Sequence, residues 1–185
     1  MNYDGLSDNE LLLILSKKDR NSESVFRLIY QKQGPKIMSY CRNILRNNTI
    51  AEEVFQETFI KFYQSAKPQN CIVSIGGYLT RIARNLCFDY FRNKNNMVPI
   101  EELNIDISDI NSFEDFNEED FEKRVQMIIS AMELISSEDK ELIVLRVINQ
   151  MQYSEIAEIF NTTESNARKK VFRAKIKLKK IIEQY

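Results

Sequence analysis

The sequence predicts an all-α protein: two small helical domains joined by an acidic linker, the C-terminal one containing a helix-turn-helix. Three observations predict it. With 4 Gly and 3 Pro in 185 residues, there is too little turn chemistry for a sheet protein. Apolar residues recur at helical spacing over most of the chain. Charge, finally, is segregated. Residues 1–96 carry 14 basic and 9 acidic side chains, 97–122 carry 10 acidic and none basic, and 123–185 carry 12 basic and 8 acidic. The formal net charge of −1 therefore conceals two basic modules, each with a local field suited to nucleic acid. The expected division is an N-terminal domain over 1–96, a linker over 97–121 and a C-terminal domain over 122–185.

Taken in order, Ser7-Asp8-Asn9-Glu10 is a capping box before the apolar run Leu11 to Leu15. Asn21 or Ser22 is expected to cap the next helix, which carries Val25, Phe26, Ile29 and Tyr30, and Gly34-Pro35 to break or kink it. A further helical stretch holds Ile37, Met38, Cys41, Ile44 and Leu45. Thr49-Ile50-Ala51-Glu52 reads as a second capping box, opening a helix with Val54, Thr58 and Phe62 along one side and Phe55, Phe59 and Tyr63 beside them. Residues 67–77 read as a loop and 78–93 as a helix with Leu79, Ile82, Ala83, Leu86 and Tyr90 inward. After the linker, periodicity resumes at Phe121, Ser137 is expected to cap a helix, and Ser154 another, shorter one.

Composition narrows the chemistry. The chain has no histidine, which removes the commonest general base and metal ligand, and neither a nucleophile constellation nor a phosphate loop is visible. No catalytic residue, metal or cofactor is expected, so the chain is not read as an enzyme. Cys41, Cys71 and Cys87 are odd in number and widely spaced, unlike a disulfide framework or zinc site. No apolar run approaches the roughly 18 residues of a membrane span, and the acidic start is unlike a signal peptide, so a cytoplasmic protein is expected.

The most informative stretch follows Gln152. A short amphipathic helix ends at Asn161, a residue able to adopt the left-handed conformation, and Thr162 or Thr163 caps a long basic helix. Such a tight turn between two helices is helix-turn-helix geometry. On the long helix, Ala167, Val171, Ala174, Leu178 and Ile181 form one inward stripe. The opposite face and its flanks carry Ser165, Arg168, Lys169, Phe172, Arg173 and Ile176, with Asn166 in the first turn. A merely solvated basic face is the alternative. Apolar Phe172 and Ile176 on a face the core does not need favour contact with a DNA groove, where Arg and Lys reach guanine edges or phosphates and Phe a thymine methyl.

Three stretches in one order, AEEVFQETFIKFY (51–63), GYLTRIARNLCFDYFRNKN (77–95) and LIVLRVINQMQYSEIAEIFNTTESNARKKVFRAKIKL (142–178), resemble the extracytoplasmic-function sigma factors of bacterial RNA polymerase. The resemblance implies an alternative sigma factor that binds core polymerase, directs it to promoter DNA and helps open the duplex. It implies that Glu52, Glu53, Gln56, Glu57 and Lys61 face the polymerase. It implies that Lys67, Gln69, Asn70, Tyr78, Arg81, Arg84, Asn85, Arg92 and Lys94 serve the minus-ten element and melting, although Tyr78 reads equally as a core aromatic and Asp89 as an intrahelical partner of Arg92. Ser165, Asn166, Arg168, Lys169, Phe172 and Arg173 then meet the minus-thirty-five element. Many members are restrained by an anti-sigma factor, a further partner the resemblance allows, whereas no membrane insertion or small-molecule substrate is expected. The acidic linker is either a strand that occupies basic polymerase surface or a solubilising tether.

The chain departs from family habit in having no Trp at Tyr63 and Tyr78, Asn161 where Gly is usual, and Ala167-Arg168-Lys169-Lys170 in the recognition helix. The rival reading is a regulator that uses its helix-turn-helix without polymerase, binding its operator tightly alone and usually as a dimer.

Overall fold

Each helix of the N-terminal half starts at a side chain that accepts its orphan N–H groups. The computed structural model describes residues 3, 5–67, 74–93 and 118–184, and the chain divides into two compact units, Met1–Ile100 and Glu101–Tyr185. In the first, Ser7 and Glu10 cap each other's backbone at the start of α1 (Asp8–Ser16). Asp19, not Asn21 or Ser22, caps α2 (Arg20–Leu45), its carboxylate accepting from Asn21 N at 2.9 Å and Ser22 N at 3.1 Å. Asn47, not Thr49, caps α3 (Asn48–Ser65) through Ile50 N at 3.1 Å. Adjacent Asn, Asp and Ser residues compete for such positions, and the winner is the one with extended backbone.

Of the break or kink expected at Gly34-Pro35, the break does not occur: α2 runs through Pro35 as one helix. Proline costs one backbone bond there, but Gly34, Ile37, Tyr40 and Cys41 are buried around it. A Cβ on Gly34 would sit 3.8 Å from the Phe55 ring, so α3 packs close against this turn. The chain then reverses at Arg46, in the left-handed conformation at φ 55°.

The last helix of this unit, α4 (Ile75–Asn93), begins three residues earlier than the sequence suggests. Ser74 Oγ accepts from Gly77 N at 2.9 Å, and Asp8 reaches from α1 to accept from Ile75 N at 2.6 Å. The second bond spans 67 positions and is invisible to local reading. Leu12, Leu15, Val25, Ile37, Phe62 and Leu79 are fully buried between the four helices. Phe26, Tyr30, Phe55, Phe59 and Tyr63 add an aromatic cluster along α2 and α3, with ring centroids 4.8–6.3 Å apart in tilted and edge-on pairs.

The second unit packs α5 (Glu118–Glu133), α6 (Ser137–Ile143), α7 (Tyr153–Ile159) and α8 (Glu164–Ile182) around Met132, Leu142, Leu145, Ile156, Ala167 and Val171. Ser136, one residue before the expected Ser137, caps α6. The helix then widens into a π-helical turn, Val144–Ile148, where Asn149 N donates to Val144 O at 2.9 Å. Gln150, at φ 54°, turns the chain into α7, which is capped by Gln152 and Glu155 rather than by Ser154. No strand occurs among the described residues, and no helix among them is long and apolar enough to cross a membrane. Cys41 and Cys87 are buried.

Candidate nucleic-acid interface

The turn before α8 fixes how that helix is presented. Asn161 has φ 48°, Thr162 N donates to Ala157 O at 2.8 Å and Asn161 N to Glu158 O at 3.2 Å. Together these form a Schellman motif with asparagine in the position that glycine usually takes. Thr163 then caps α8 by accepting from Asn166 N at 3.3 Å. Ala167, Val171 and Ala174 are buried, while Leu178 and Ile181 are half-buried, so the inward stripe is the one the spacing predicts.

All six candidate residues of α8, Ser165, Asn166, Arg168, Lys169, Phe172 and Arg173, are exposed. Phe172 is 64% exposed, a large apolar ring held in solvent beside cations. The helix's other cations differ in their partners. Lys170 pairs with Glu138 and Lys177 with Asp139, each at 2.6 Å, which ties α8 to α6. Arg168 contacts Glu164 at 3.1 Å and lies over the Tyr153 ring. Among the described residues, Lys169 and Arg173 have no carboxylate partner, so their charge faces outward. The long-range pairs to α6 had no sequence signal.

Asp139 shows how the mount is held. Burial raises the pKa of its carboxyl, but hydrogen bonds from Lys177 and Ser136, and the Lys177 charge, outweigh this and leave it below the ordinary carboxylate value.

On the first unit, α3 presents Glu52, Glu53, Gln56, Glu57 and Lys61, all exposed, with Lys61 paired to Glu57 at 3.0 Å. Ile60, 56% exposed in the same strip, is an apolar member that sequence reading passed over because it interrupts a polar face.

On α4, Asn85 and Arg92 are exposed, and Arg81 and Arg84 half-buried. Arg81 lies 5.3 Å from the Tyr78 ring centroid and Arg84 4.6 Å from that of Phe88. Arg92 pairs with Asp89 at 2.8 Å, the intrahelical partnership expected. Tyr78 takes the core position that its alternative reading allowed. It is 7% exposed, its hydroxyl is 2.7 Å from Ser65 Oγ and its ring packs edge-on to Phe62. Phe88 and Phe91, 45% and 43% exposed, are the aromatic groups α4 offers to solvent. An open groove between α3 and α4 is lined by Lys61, Gln64, Ser65, Asn85, Leu86 and Asp89 among others, bringing Lys61 and Asn85 to one place. Lys67 is exposed, while Gln69, Asn70, Lys94 and most of the acidic linker lie outside the described residues.

Comparison with known proteins gives the same two segments. The model of sigma-70 region 2 matches residues 29–97 and that of sigma-70 region 4 matches residues 126–178. The ECF RNA polymerase sigma factor SigM of Bacillus subtilis is 24% identical over 151 residues, covering 82% of this chain and 91% of that protein. The ECF RNA polymerase sigma-E factor of Haemophilus influenzae is 23% identical over 172 residues, covering 88% and 89%. Among solved structures, CnrH in complex with the cytosolic domain of CnrY has a TM-score of 0.68 at 17% identity, covering 96% of this chain and 97% of that one. The sigma factor RpoE of Bartonella quintana, in complex with the anti-sigma factor NepR, has a TM-score of 0.67 at 18% identity, covering 85% and 96%.

Proposed function

The chain belongs to the sigma-70 factors of RNA polymerase, in their extracytoplasmic-function subfamily, and we propose that its two units divide promoter recognition between α4 and α8. It is an alternative sigma factor, with core RNA polymerase and promoter DNA as partners. In the proposed division, the exposed acidic strip of α3, Glu52 to Lys61, docks on core enzyme. Residues 1–96 recognise and melt the minus-ten element through Arg81, Arg84, Asn85 and Arg92, and residues 122–185 hold the minus-thirty-five element through Ser165, Asn166, Arg168, Lys169, Phe172 and Arg173. Residues 97–121 join them as an acidic linker. The observation that carries this reading is the outward face of α8, where Lys169 and Arg173, without a carboxylate partner among the described residues, flank an exposed Phe172.

The chemistry of RNA synthesis in this reading is the polymerase's, not this chain's, and the chain works in the cytoplasm where polymerase is. An anti-sigma factor as a further partner is supported by the similar RpoE fold, solved with NepR.

The test is co-purification with core polymerase followed by run-off transcription. The chain should bind core stably and direct transcription from a specific promoter, while alone it binds DNA weakly and in a salt-sensitive way. Tight, sequence-specific DNA binding by the isolated chain, without core binding, would establish the polymerase-independent regulator instead.

A further inference from the structure

We propose that Tyr153 and Arg146 are positioning residues for Arg168, holding its guanidinium in the pose with which α8 reads DNA. The proposal rests on α8 being the upstream-element helix. Tyr153 is the first residue of α7, across the turn from α8, and half-buried. The Arg168 guanidinium carbon lies 4.7 Å from its ring centroid, and that of Arg146 lies 4.5 Å from the same centroid. Two like charges sharing one ring repel, so each needs a second anchor. Arg146 donates from Nη1 to the Met151 carbonyl oxygen at 2.6 Å, and Arg168 donates from Nη2 to Glu164 Oε1 at 3.1 Å.

Arg146 belongs to the π-helical turn, Tyr153 to α7 and Arg168 to α8, so one ring couples three consecutive elements. Ring and carboxylate together restrict Arg168, whose side chain is still 64% exposed. A guanidinium already ordered loses less freedom when its planar fork meets a guanine edge. Lys169 and Arg173 have no carboxylate partner among the described residues. The sharpest base preference of α8 therefore comes from Arg168, with Lys169 and Arg173 supplying attraction.

The test uses the full chain with core polymerase and promoters randomised in the upstream element, comparing Arg168→Ala, Tyr153→Leu, Tyr153→Phe and the double variant Tyr153→Leu/Arg168→Ala. Arg168→Ala should lose about tenfold in preference at one base pair, the size of a good base contact. Tyr153→Leu should lose preference at that same pair, Tyr153→Phe should retain it, and the double variant should be no worse than Arg168→Ala. Should Tyr153→Leu not fold, Arg146→Met removes the contact that ties the Tyr153 ring to the π-helical turn, and a loss of about threefold at the same pair is expected even though charge repulsion is relieved. A uniform loss over all sequences with a shallower salt dependence would make Tyr153 a backbone contact and overturn the proposal. So would additive losses, or no loss for Tyr153→Leu while Arg168→Ala shows one. If Arg168→Ala itself changes no preference, the assignment of the α8 face fails, and the proposal with it.

Discussion

The two units present basic helices in different states. On α8 two cations of the outward face, Lys169 and Arg173, lack carboxylate partners among the described residues and Phe172 stands in solvent, while Arg168 is held by Glu164 and Tyr153. On α4 the cations are engaged, Arg81 over Tyr78, Arg84 over Phe88 and Arg92 with Asp89. An open cationic face suits a duplex, whose phosphates and groove edges are already exposed. Engaged arginines beside half-exposed rings suit bases that must first leave a stack, because an incoming base can replace the guanidinium on the ring. Docking and melting thus ask for different degrees of readiness.

The contrast is breakable. The largest effect is expected from Lys169→Ala combined with Arg173→Ala, which should weaken upstream-element binding by the holoenzyme about tenfold to a hundredfold while core affinity stays unchanged. Fluorescence anisotropy on a labelled promoter fragment measures this, and an equal loss of core binding would contradict it. Next, Phe88→Ala with Arg84→Ala should reduce strand opening about tenfold, read as permanganate reactivity of unpaired thymines, with duplex binding intact. If duplex binding falls instead, the two helices do the same work.

Two smaller effects are expected on stability. Asp139→Asn removes the charge that receives Lys177 and weakens the cap on α6, and should cost about 1–2 kcal/mol in urea unfolding. Because the folded pKa of Asp139 is depressed, its contribution is fully present above the unfolded carboxyl value and is lost as pH falls through the folded one. The melting temperature of the wild-type chain should therefore drop below about pH 4 more steeply than that of Asp139→Asn. Smallest of all, Tyr78→Phe deletes only the hydroxyl bond to Ser65 and should cost about 1 kcal/mol, leaving promoter opening unchanged. A large opening defect with native stability would return Tyr78 to the DNA.

The all-α class, the Ser7 capping box, the inward stripe of α8 and the left-handed Asn161 were legible because each rests on spacing within one turn or two. What was not legible depends on distant partners. Tyr78 is buried because Phe62 and Ser65 meet it from α3, and α4 starts early because Asp8 caps it from α1. Lys170 and Lys177 face α6 because Glu138 and Asp139 lie there, 32 and 38 positions away. The passage of α2 through Pro35 likewise accompanies the burial of Gly34 against Phe55 of α3, a partner 21 positions away. Of the site, the exposure of the α8 face followed from periodicity, whereas which of its cations remain open did not.

The π-helical turn at Val144–Ile148 has a consequence for how this chain tolerates insertion and deletion. A π turn holds one residue more than an α turn can place, and each residue in an α-helix advances the chain by about 100°. Deleting one residue between Val144 and Ile148 would let the segment relax to an α-helix without breaking it. Arg146 would then swing away from Tyr153, and the turn into α7 would leave in a new direction. If α8 reads the promoter as proposed, such a deletion would preserve helix content and erase promoter preference, a loss of phase rather than of structure.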